Sequence, residues 1–303
     1  MRLAANWLPL GPELTREVAR RAEKAGLWGL GIGDSPHYGE LYAACADALA
    51  VTSTLTVFTS VTNPVTRHLS VHVSAARAFG AERFVVGMGR GDSAVRTFGL
   101  DPAPLPVLEE ALTGLRAAVP DVRLLVAASG PRAAALAGRC ADGVIGGAGR
   151  DLVALRGLRD TAGGSGELWA SVRLAVARDE AAVPALRQRM LPRAISASRF
   201  NFAATFAGKN VPVAIRDVLT ERYATYDFAW HGRSGANPVA SMFADRPDIE
   251  DYLLDRFAVV GTIGTCRDRL AELAPVVDGV FLSLLFEDAL DQVDMIAELA
   301  GAL

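Results

Sequence analysis

The sequence predicts an α/β fold: a closed (β/α)8 barrel, or TIM barrel, that forms one domain over residues 1–303. Three observations predict it. Short apolar runs of strand length alternate with amphipathic runs of helical period. Eight such apolar runs repeat at intervals of roughly 25–30 residues, which favours a closed barrel over an open sheet. Polar residues and glycines concentrate directly after the apolar runs, where a barrel places its functional loops.

The apolar runs are each read as one buried strand of a parallel sheet, because an amphipathic helical stretch follows each of them. The first of these helices carries Leu14, Val18 and Ala22 on one face, and Gly26 supplies its C-terminal stop. The eight predicted strands are residues 3–8, 30–32, 55–61, 84–88, 123–128, 143–145, 168–177 and 279–285.

The pattern is interrupted once, between the seventh and eighth predicted strands, where the chain is far longer than one helix requires. We predict a helical insertion over residues 178–262 that belongs to the same domain. Helical spacing predicts helices at 192–206, 212–228 and 248–257, a loop at 230–237, and the regular barrel helix at 267–274.

Composition limits the function classes. The chain is 51% hydrophobic and 21% charged with a formal net charge of −3, which excludes disorder and argues against a nucleic-acid partner. Cys45, Cys140 and Cys266 lie far apart, with no CxxC pair, so we expect neither disulfides nor a metal site. No apolar run approaches the roughly 18 residues of a membrane span, and no signal peptide is recognisable, so we expect a cytoplasmic protein without membrane contact.

Two glycine-containing loops suit an anion such as a phosphate. Gly89-Arg90-Gly91 and Ser129-Gly130-Pro131 each precede a predicted helix, whose N-terminus presents free N–H groups. Arg90 could add a charge-assisted contact. The alternative is that each loop only makes a tight turn. Several such loops at one end of a barrel favour a binding site.

Four segments of the chain resemble the luciferase-like superfamily, in its branch close to methylenetetrahydromethanopterin reductase and other enzymes that use the deazaflavin coenzyme F-420. The segments are Ser-Val-Thr-Asn-Pro-Val-Thr-Arg-His (60–68), Gly-Met-Gly-Arg-Gly-Asp-Ser (87–93) with its continuation to 100, residues 128–145, and Tyr-Asp-Phe-Ala-Trp-His-Gly (226–232) with residues 255–262. They occur in the family's order over nearly the whole chain. The resemblance implies a barrel enzyme, a flavin- or deazaflavin-dependent oxidoreductase.

The resemblance also implies a cofactor and its site. The cofactor is reduced coenzyme F-420, with FMN as the alternative. A cis peptide between Ser60 and Val61 packs against the cofactor ring, Asp34 contacts the ring region, and the glycine loops hold the tail. The cofactor-binding residues implied are Asp34, Ser60, Val61, Thr62, Asn63, Met88, Gly89, Arg90, Gly91, Ser129, Gly130, Pro131, Gly146 and Gly147.

The sequence departs from the family at the expected proton donor. Many deazaflavin enzymes have His directly after the acid of the second strand, whereas Ser35 follows Asp34 here and His37 comes later. Candidate catalytic residues are therefore Asp34, His37 and Asp92, the last of which matches a carboxylate that assists proton transfer in some members. The predicted substrate pocket contains Asn6, Trp7, Tyr226 and His231.

The resulting hypothesis is hydride transfer to an activated C=C, C=N or C=O bond. Aromatic residues of the insertion, Phe200 and Tyr226 among them, favour a bulky small-molecule or peptide substrate, such as a specialised-metabolite intermediate or a modified peptide with a dehydroamino acid. The alternative for these aromatics is packing within the insertion. Two other functions stay open, an FMN-dependent monooxygenase and a non-catalytic flavin-binding protein. The resemblance adds a homodimer as a candidate assembly.

Overall fold

The apolar runs form parallel strands in a computed structural model of the protein, which describes residues 1–231, 233, 237–285 and 288–300. Every strand pairing among these residues is parallel. The strands are β1 (Arg2–Trp7), β2 (Gly29–Ile32), β3 (Thr56–Thr59), β4 (Phe84–Met88), β5 (Arg123–Ala128), β6 (Gly143–Gly146), β7 (Glu167–Ala177), β8 (Ala258–Thr262) and β9 (Gly279–Ser283).

Eight of these strands close into a ring, which confirms the predicted TIM barrel. The order runs from β6 back to β1, then to β9 and β7, and β7 pairs with β6 to close it. The eight ring strands correspond to the eight predicted apolar runs. The third differs most, because it ends at Thr59 and its predicted last residues form the loop at the carboxyl end.

Amphipathic helices surround the ring. In α1, the buried residues Val18, Ala19 and Ala22 face the strands, and Gly26, at a φ of 71°, ends the helix in the left-handed region that favours glycine. The α-helices are α1 (Pro12–Lys24), α2 (Leu41–Ala50), α3 (Leu69–Phe79), α4 (Asp92–Thr97), α5 (Leu105–Ala118), α6 (Pro131–Cys140), α7 (Leu152–Thr161), α8 (Val183–Phe202), α9 (Val213–Ala224), α10 (Pro247–Phe257), α11 (Ile263–Ala271) and α12 (Ala289–Ala300). No helix in the described ranges is both long and apolar enough to cross a membrane.

The predicted insertion is present, but two of its helices have different bounds. Helix α8 begins at Val183 rather than at 192, and Pro192 lies inside it. An internal proline removes one backbone hydrogen bond, so the sequence pattern suggested a helix start there. Burial of the residues around it, Ala194 and Ile195 among them, stabilises the longer helix. Helix α9 ends at Ala224 rather than at 228. Residues 232 and 234–236 of the predicted loop lie outside the described residues.

Strand β8 was missing from the prediction, which treated residues 178–262 as helical. It pairs with β7 from Arg173 to Ala177, beyond the end of the β6 pairing at Ala170. At Arg173 the other edge of β7 already carries β9, so β8 lies outside the ring. The strand follows α10 with no turn between them, because Ala258 is already extended. No turn residue therefore marks the boundary between this helix and the strand in the sequence.

The amino end of the barrel is filled by large side chains. Phe58, Trp169 and Phe281 are fully buried inside the ring, with ring centroids 4.4 Å apart for Phe58–Phe281 and 4.8 Å for Trp169–Phe281. The Arg2 guanidinium lies 4.8 Å from the Trp169 ring and 4.9 Å from Trp28. These side chains fill the interior of the barrel at its amino end, whereas a cavity lies at the carboxyl end.

Candidate active site

A cavity of about 330 Å³ lies at the carboxyl ends of the barrel strands. Loops that follow the ring strands form its floor and sides, and helix α8 of the insertion forms a wall. Eight of the residues predicted from the sequence line it: Asn6, Asp34, His37, Ser60, Val61, Ser129, Gly147 and His231.

The remaining predicted residues do not line this cavity. Several are neighbours in the chain of residues that do, and others form the layer behind them. Trp7 and Met88, for example, are buried in the barrel core. The predicted residues outside the lining are Trp7, Thr62, Asn63, Met88, Gly89, Arg90, Gly91, Asp92, Gly130, Pro131, Gly146 and Tyr226.

Asp34 is held by a set of charge-assisted hydrogen bonds. Arg67 donates to both carboxylate oxygens, from Nε at 2.9 Å and from Nη2 at 3.0 Å, and the Thr62 hydroxyl donates to Oδ2 at 2.9 Å. Burial opposes the charge on Arg67, but Asp34 and Glu40 outweigh it and raise the pKa of Arg67. Asp34 is therefore a fixed carboxylate at the cavity edge, an acceptor of hydrogen bonds.

The Arg67–Asp34 ion pair packs against a buried hydrogen bond between Tyr42 and His72. The Arg67 guanidinium lies 5.4 Å from the Tyr42 ring, and Tyr42 Oη is 2.5 Å from His72 Nδ1. Burial lowers the pKa of His72 to about 4 and raises the pKa of Tyr42 above its usual value. Both side chains are therefore neutral at physiological pH. His72 lies on helix α3 and serves as a core residue.

The peptide between Ser60 and Val61 is cis, as the family resemblance implied. Both residues line the cavity directly after β3. Gly89, on the neighbouring strand end, packs closely against Val61: a Cβ there would lie 3.2 Å from Val61 Cγ2. Ser60 and Val61 thus form one side of the cavity, with the end of β4 packed behind Val61.

The loops after β5 and β6 form a second glycine-lined region. A Cβ on Gly147 would lie 2.7 Å from Ser129 Oγ, so the space beside the loop depends on glycine. Asn201 of α8 donates to the Gly147 carbonyl at 2.9 Å, and its buried Oδ1 has no partner among the described residues. Gly130 precedes α6 without a side-chain cap, which leaves N–H groups at the helix start available. We refer to Ser129, Gly130, Gly147 and Asn201 as the glycine cradle.

The loop after β4 is fixed by its own contacts. Gly91 has a φ of 85°, and a Cβ there would lie 2.7 Å from the Asn63 side chain. Arg90 is exposed, and its Nε donates to the Ala103 carbonyl at 2.6 Å. Asp92 forms ion pairs with Arg96 at 2.7 Å and with Arg199 at 3.5 Å. These contacts stabilise the loop and direct the charges of Arg90 and Asp92 towards neighbouring protein groups.

The insertion contributes three side chains joined by polar contacts, Ser196, Tyr226 and His231, to the region of the cavity wall. Tyr226 Oη donates to Ser196 Oγ at 2.8 Å and lies 3.2 Å from His231 Nδ1. The His231 and Phe200 rings meet edge-on with centroids 4.5 Å apart. Burial, and next the charge of Arg173, lower the pKa of His231 to about 3, so its imidazole is neutral. Tyr226 therefore acts on the cavity through Ser196 and His231.

His37 has a ring nitrogen without a protein partner. Its Nε2 is buried and makes no hydrogen bond within the described residues, although the side chain lines the cavity. Burial, followed by the charge of Arg233, lowers the pKa of His37. A neutral imidazole can donate from one nitrogen and accept at the other. His37 thus has one ring nitrogen that the described protein groups leave unengaged.

The aromatic residues of the insertion divide into two groups. Phe200 lines the cavity. Phe202 and Tyr223 are buried in the separate core of the insertion, where Phe202 packs edge-on against Phe257 with centroids 5.4 Å apart. Most of these aromatic residues thus pack between the inserted helices. Phe200 is the one among them that lines the cavity, where a ligand could contact its ring.

The sequence pattern did not identify three arginines of the site: Arg67, which holds Asp34, and Arg173 and Arg193, which line the cavity. A usable signal existed for Arg173, because it is a charged residue within an otherwise apolar predicted strand. Arg193 lies in helix α8, where a surface arginine is ordinary, and nothing in its spacing distinguishes it.

Comparison with known proteins gives a family and a set of structural neighbours. The model of the luciferase-like monooxygenase family matches residues 9–277. The comparison with curated protein sequences gave no match. Coenzyme F-420-dependent tetrahydromethanopterin reductase from Methanopyrus kandleri superposes with a TM-score of 0.74 at 16% identity, covering 98% of this chain and 97% of that one.

Two further structures show the same fold. An F-420-dependent secondary alcohol dehydrogenase in complex with an F-420–acetone adduct has a TM-score of 0.67 at 15% identity, covering 100% of this chain and 99% of that one. The oxygenating constituent of 3,6-diketocamphane monooxygenase from Pseudomonas putida, in complex with FMN, has a TM-score of 0.59 at 12% identity, covering 98% and 97%. At these identities the likeness concerns the fold.

Proposed function

The chain belongs to the luciferase-like monooxygenase family, and we propose that it is a coenzyme F-420-dependent oxidoreductase that transfers a hydride to an activated C=C, C=N or C=O bond. The observation that carries the proposal is that Ser60, Val61 and the fixed carboxylate of Asp34 line the same cavity at the carboxyl ends of the strands. Two of the structural neighbours are named for F-420, and they support the choice of cofactor.

The cavity fits a cofactor with a flat ring and a phosphorylated tail. Ser60 and Val61 line the cavity where the ring would pack, and Gly89 allows the close approach of β4 behind Val61. The glycine cradle offers free N–H groups at the start of α6 and the unpartnered Oδ1 of Asn201. These groups suit the anionic and hydroxylated parts of a tail. When bound, the reduced deazaflavin would supply the hydride, and the protein would supply position and electrostatics.

In this proposal Asp34 positions the cofactor rather than donating a proton. Its two carboxylate oxygens already accept three hydrogen bonds from Arg67 and Thr62. A carboxylate in that state is a hydrogen-bond acceptor, and protonating it would break the ion pair. Asp34 is therefore suited to receive an N–H from the cofactor ring at the cavity edge.

We assign proton transfer to His37. Its side chain lines the cavity, and its Nε2 lacks a partner in the described part of the chain. Asp92, the other candidate, does not line the cavity and is paired with Arg96 and Arg199. A neutral histidine can pass a proton to the substrate and regain one from solvent. Phe200 and the wall of α8 suit a substrate with an apolar body, which supports a bulky acceptor.

An FMN-dependent monooxygenase is the second candidate. The family description names monooxygenases, and one structural neighbour holds FMN. The same surface at Ser60 and Val61 would serve either ring. A reduced flavin reacts with oxygen, whereas a reduced deazaflavin delivers a hydride, so cofactor choice decides the reaction class.

A titration of the purified chain with each oxidised cofactor tests the choice. We expect coenzyme F-420 to bind at least about tenfold more tightly than FMN, a difference of about 1.4 kcal/mol. The measurement is the change in cofactor fluorescence at equilibrium, followed by reoxidation of the bound reduced cofactor with a panel of activated alkenes, imines and ketones. Tight FMN binding without F-420 binding, together with oxygen consumption, would replace the first candidate by the second.

A further inference from the structure

We propose that Arg173 is an anion-binding residue of the substrate site and that the substrate carries a carboxylate. This assignment deepens the proposed function and rests on it for the identity of the bound molecule as substrate. Arg173 is the last residue of β7 that pairs with β9, and it lines the cavity. Its place in the ring, its lack of a partner among the described residues and the pairing of Asp34 with Arg67 support the proposal.

The ring places Arg173 in a polar row on three neighbouring strands. Arg173 on β7 is in register with Ser283 on β9, which is in register with Asn6 on β1. Residues in register on adjacent parallel strands point to the same face of the sheet. All three line the cavity, and Asn6 Nδ2 donates to Ser283 Oγ at 3.0 Å. Arg173 is the charged member of this row.

The row lies on the substrate side of the proposed site. In the ring order, β3 and β7 are opposite each other, with three strands between them on either side. Ser60 and Val61 follow β3, so a cofactor ring packed on them would have its other face directed towards β7. A substrate between the two would meet Arg173. The glycine cradle, which suits the cofactor tail, lies on the loops after β5 and β6.

Arg173 has no partner of opposite charge in the described part of the chain. Within the described residues it makes neither an ion pair nor a hydrogen bond, whereas Asp34 across the cavity is already bound to Arg67. Its charged neighbour on α8 is another cation, Arg193, which donates to the Leu284 carbonyl. Burial and the charge of Arg193 lower the pKa of Arg173 to about 10, so it remains charged at neutral pH.

The described lining of the cavity offers Arg173 no counter-charge. Its one carboxylate is Asp34, which is already paired with Arg67. A partly buried guanidinium without a counter-charge costs folding stability, because it has lost water and gained no partner. Such a residue is expected where a ligand supplies the missing anion.

The geometry of a guanidinium favours a carboxylate as that anion. The planar fork of an arginine donates two parallel hydrogen bonds to a carboxylate. The side chains of Ser171, two residues earlier on β7, and Ser283 line the cavity next to Arg173 and can donate to the remaining lone pairs. One available fork matches one carboxylate group.

A pair of probes that differ in charge but hardly in shape tests the proposal: trans-cinnamate and trans-cinnamamide. Calorimetric titration of the full chain, without cofactor and loaded with F-420, measures both dissociation constants. We expect cinnamate to bind about tenfold or more tightly than the amide, and Arg173→Met to abolish this preference. Arg178→Met is the matched control. Arg178 directly follows β7, is exposed, and pairs with Asp291 at 3.6 Å outside the cavity.

Thermal unfolding separates a ligand-binding role from a structural one. If Arg173 serves to bind a ligand, Arg173→Met leaves the melting temperature of the unliganded chain unchanged or raises it. The variant also loses the increase in melting temperature that cinnamate causes in the wild type. Equal binding of the two probes, no binding of either by the wild type, or a preference that persists in Arg173→Met would overturn the proposal. Failure of the proposed function has a different signature, which is the absence of F-420 binding while the cofactor-free chain still prefers cinnamate.

Discussion

Arg67 and Asp34 form an ion pair with two hydrogen bonds, from Nε at 2.9 Å and from Nη2 at 3.0 Å to separate carboxylate oxygens. The side chains are 18% and 10% exposed, so the pair is largely shielded from solvent. It joins the loop after β2 to the segment after β3, which contains the Ser60–Val61 peptide. Two loops that contribute to the cavity are therefore fixed relative to each other.

Replacement of Asp34 by Asn should loosen this connection. The Arg67 charge would lose its partner in a shielded place, and we expect a loss of about 1–3 kcal/mol in the free energy of unfolding. Cofactor binding should weaken in parallel, because the ring would lose its fixed acceptor. Urea unfolding and a cofactor titration measure the two effects. Glu13→Gln is the control: Glu13 pairs with Arg16 but is 84% exposed, and its loss should cost at most about 0.5 kcal/mol. Equal stability of the two variants would contradict the shielded ion pair.

A methyl group in the glycine cradle should affect binding more than folding. In Gly147→Ala the new Cβ would lie 2.7 Å from Ser129 Oγ, which can rotate away at the expense of the space for a ligand. We expect the cofactor dissociation constant to rise about tenfold, a loss of about 1.4 kcal/mol. Gly157→Ala in α7, where no atom lies within 4 Å of the new Cβ, should leave binding unchanged and stabilise the helix by about 0.5–1 kcal/mol. If both variants bind the cofactor like the wild type, the cradle is not part of the site.

The two candidate proton donors should respond differently to substitution. His37→Asn should lower kcat about 100-fold with little change in cofactor affinity, because a positioned acid or base contributes about 10²–10⁴-fold. Asp92→Asn should leave kcat nearly unchanged, because Asp92 is paired with arginines outside the cavity lining. Steady-state kinetics with any acceptor that the enzyme reduces compares the two. A larger loss of kcat in Asp92→Asn would reverse the assignment.

Stability should fall as the pH decreases through the titration of buried histidines. Burial lowers the pKa of His72 to about 4, whereas an unfolded histidine has a pKa of about 6.5. Between these values the unfolded chain binds more protons than the folded one, so the free energy of unfolding decreases as the pH is lowered from about 6.5 to about 4. His72 alone contributes up to about 3 kcal/mol to this decrease. Urea unfolding across the window measures it.

His72→Asn tests which group is responsible. Asparagine cannot titrate, and its side-chain oxygen can accept the Tyr42 hydroxyl in place of Nδ1. The variant should lose less stability than the wild type over the same window, and the two should run parallel above about pH 6.5. A pH dependence identical to that of the wild type would assign the effect to other groups, of which His231 is the first to examine.

The sequence was sufficient for the barrel because its signal is repeated. Eight apolar runs, each followed by a helical pattern, correspond to the eight ring strands. The single strand outside the ring was missed because β8 follows α10 directly and has no counterpart in the repeat. The β-branched pair Val259 and Val260 before Gly261 was the available signal for it.

The site was predicted in part because polar residues at the strand ends can be read from the chain order. Asp34, Ser60 and Ser129 follow from that rule, and all line the cavity. Contacts between distant segments do not follow from it. The role of Arg67 depends on the fold that brings it to Asp34, and the position of Asn201 at the Gly147 carbonyl depends on how α8 crosses the barrel end.

Strand β7 belongs to two structures at once, since its first half completes the ring and its second half pairs with β8 of the insertion. Any rotation of the whole insertion about the barrel would have to break that ladder of backbone hydrogen bonds. For protein engineering, the consequence is that the insertion is not an exchangeable module: a donor insertion would have to bring its own second half of β7, and with it the residue at position 173.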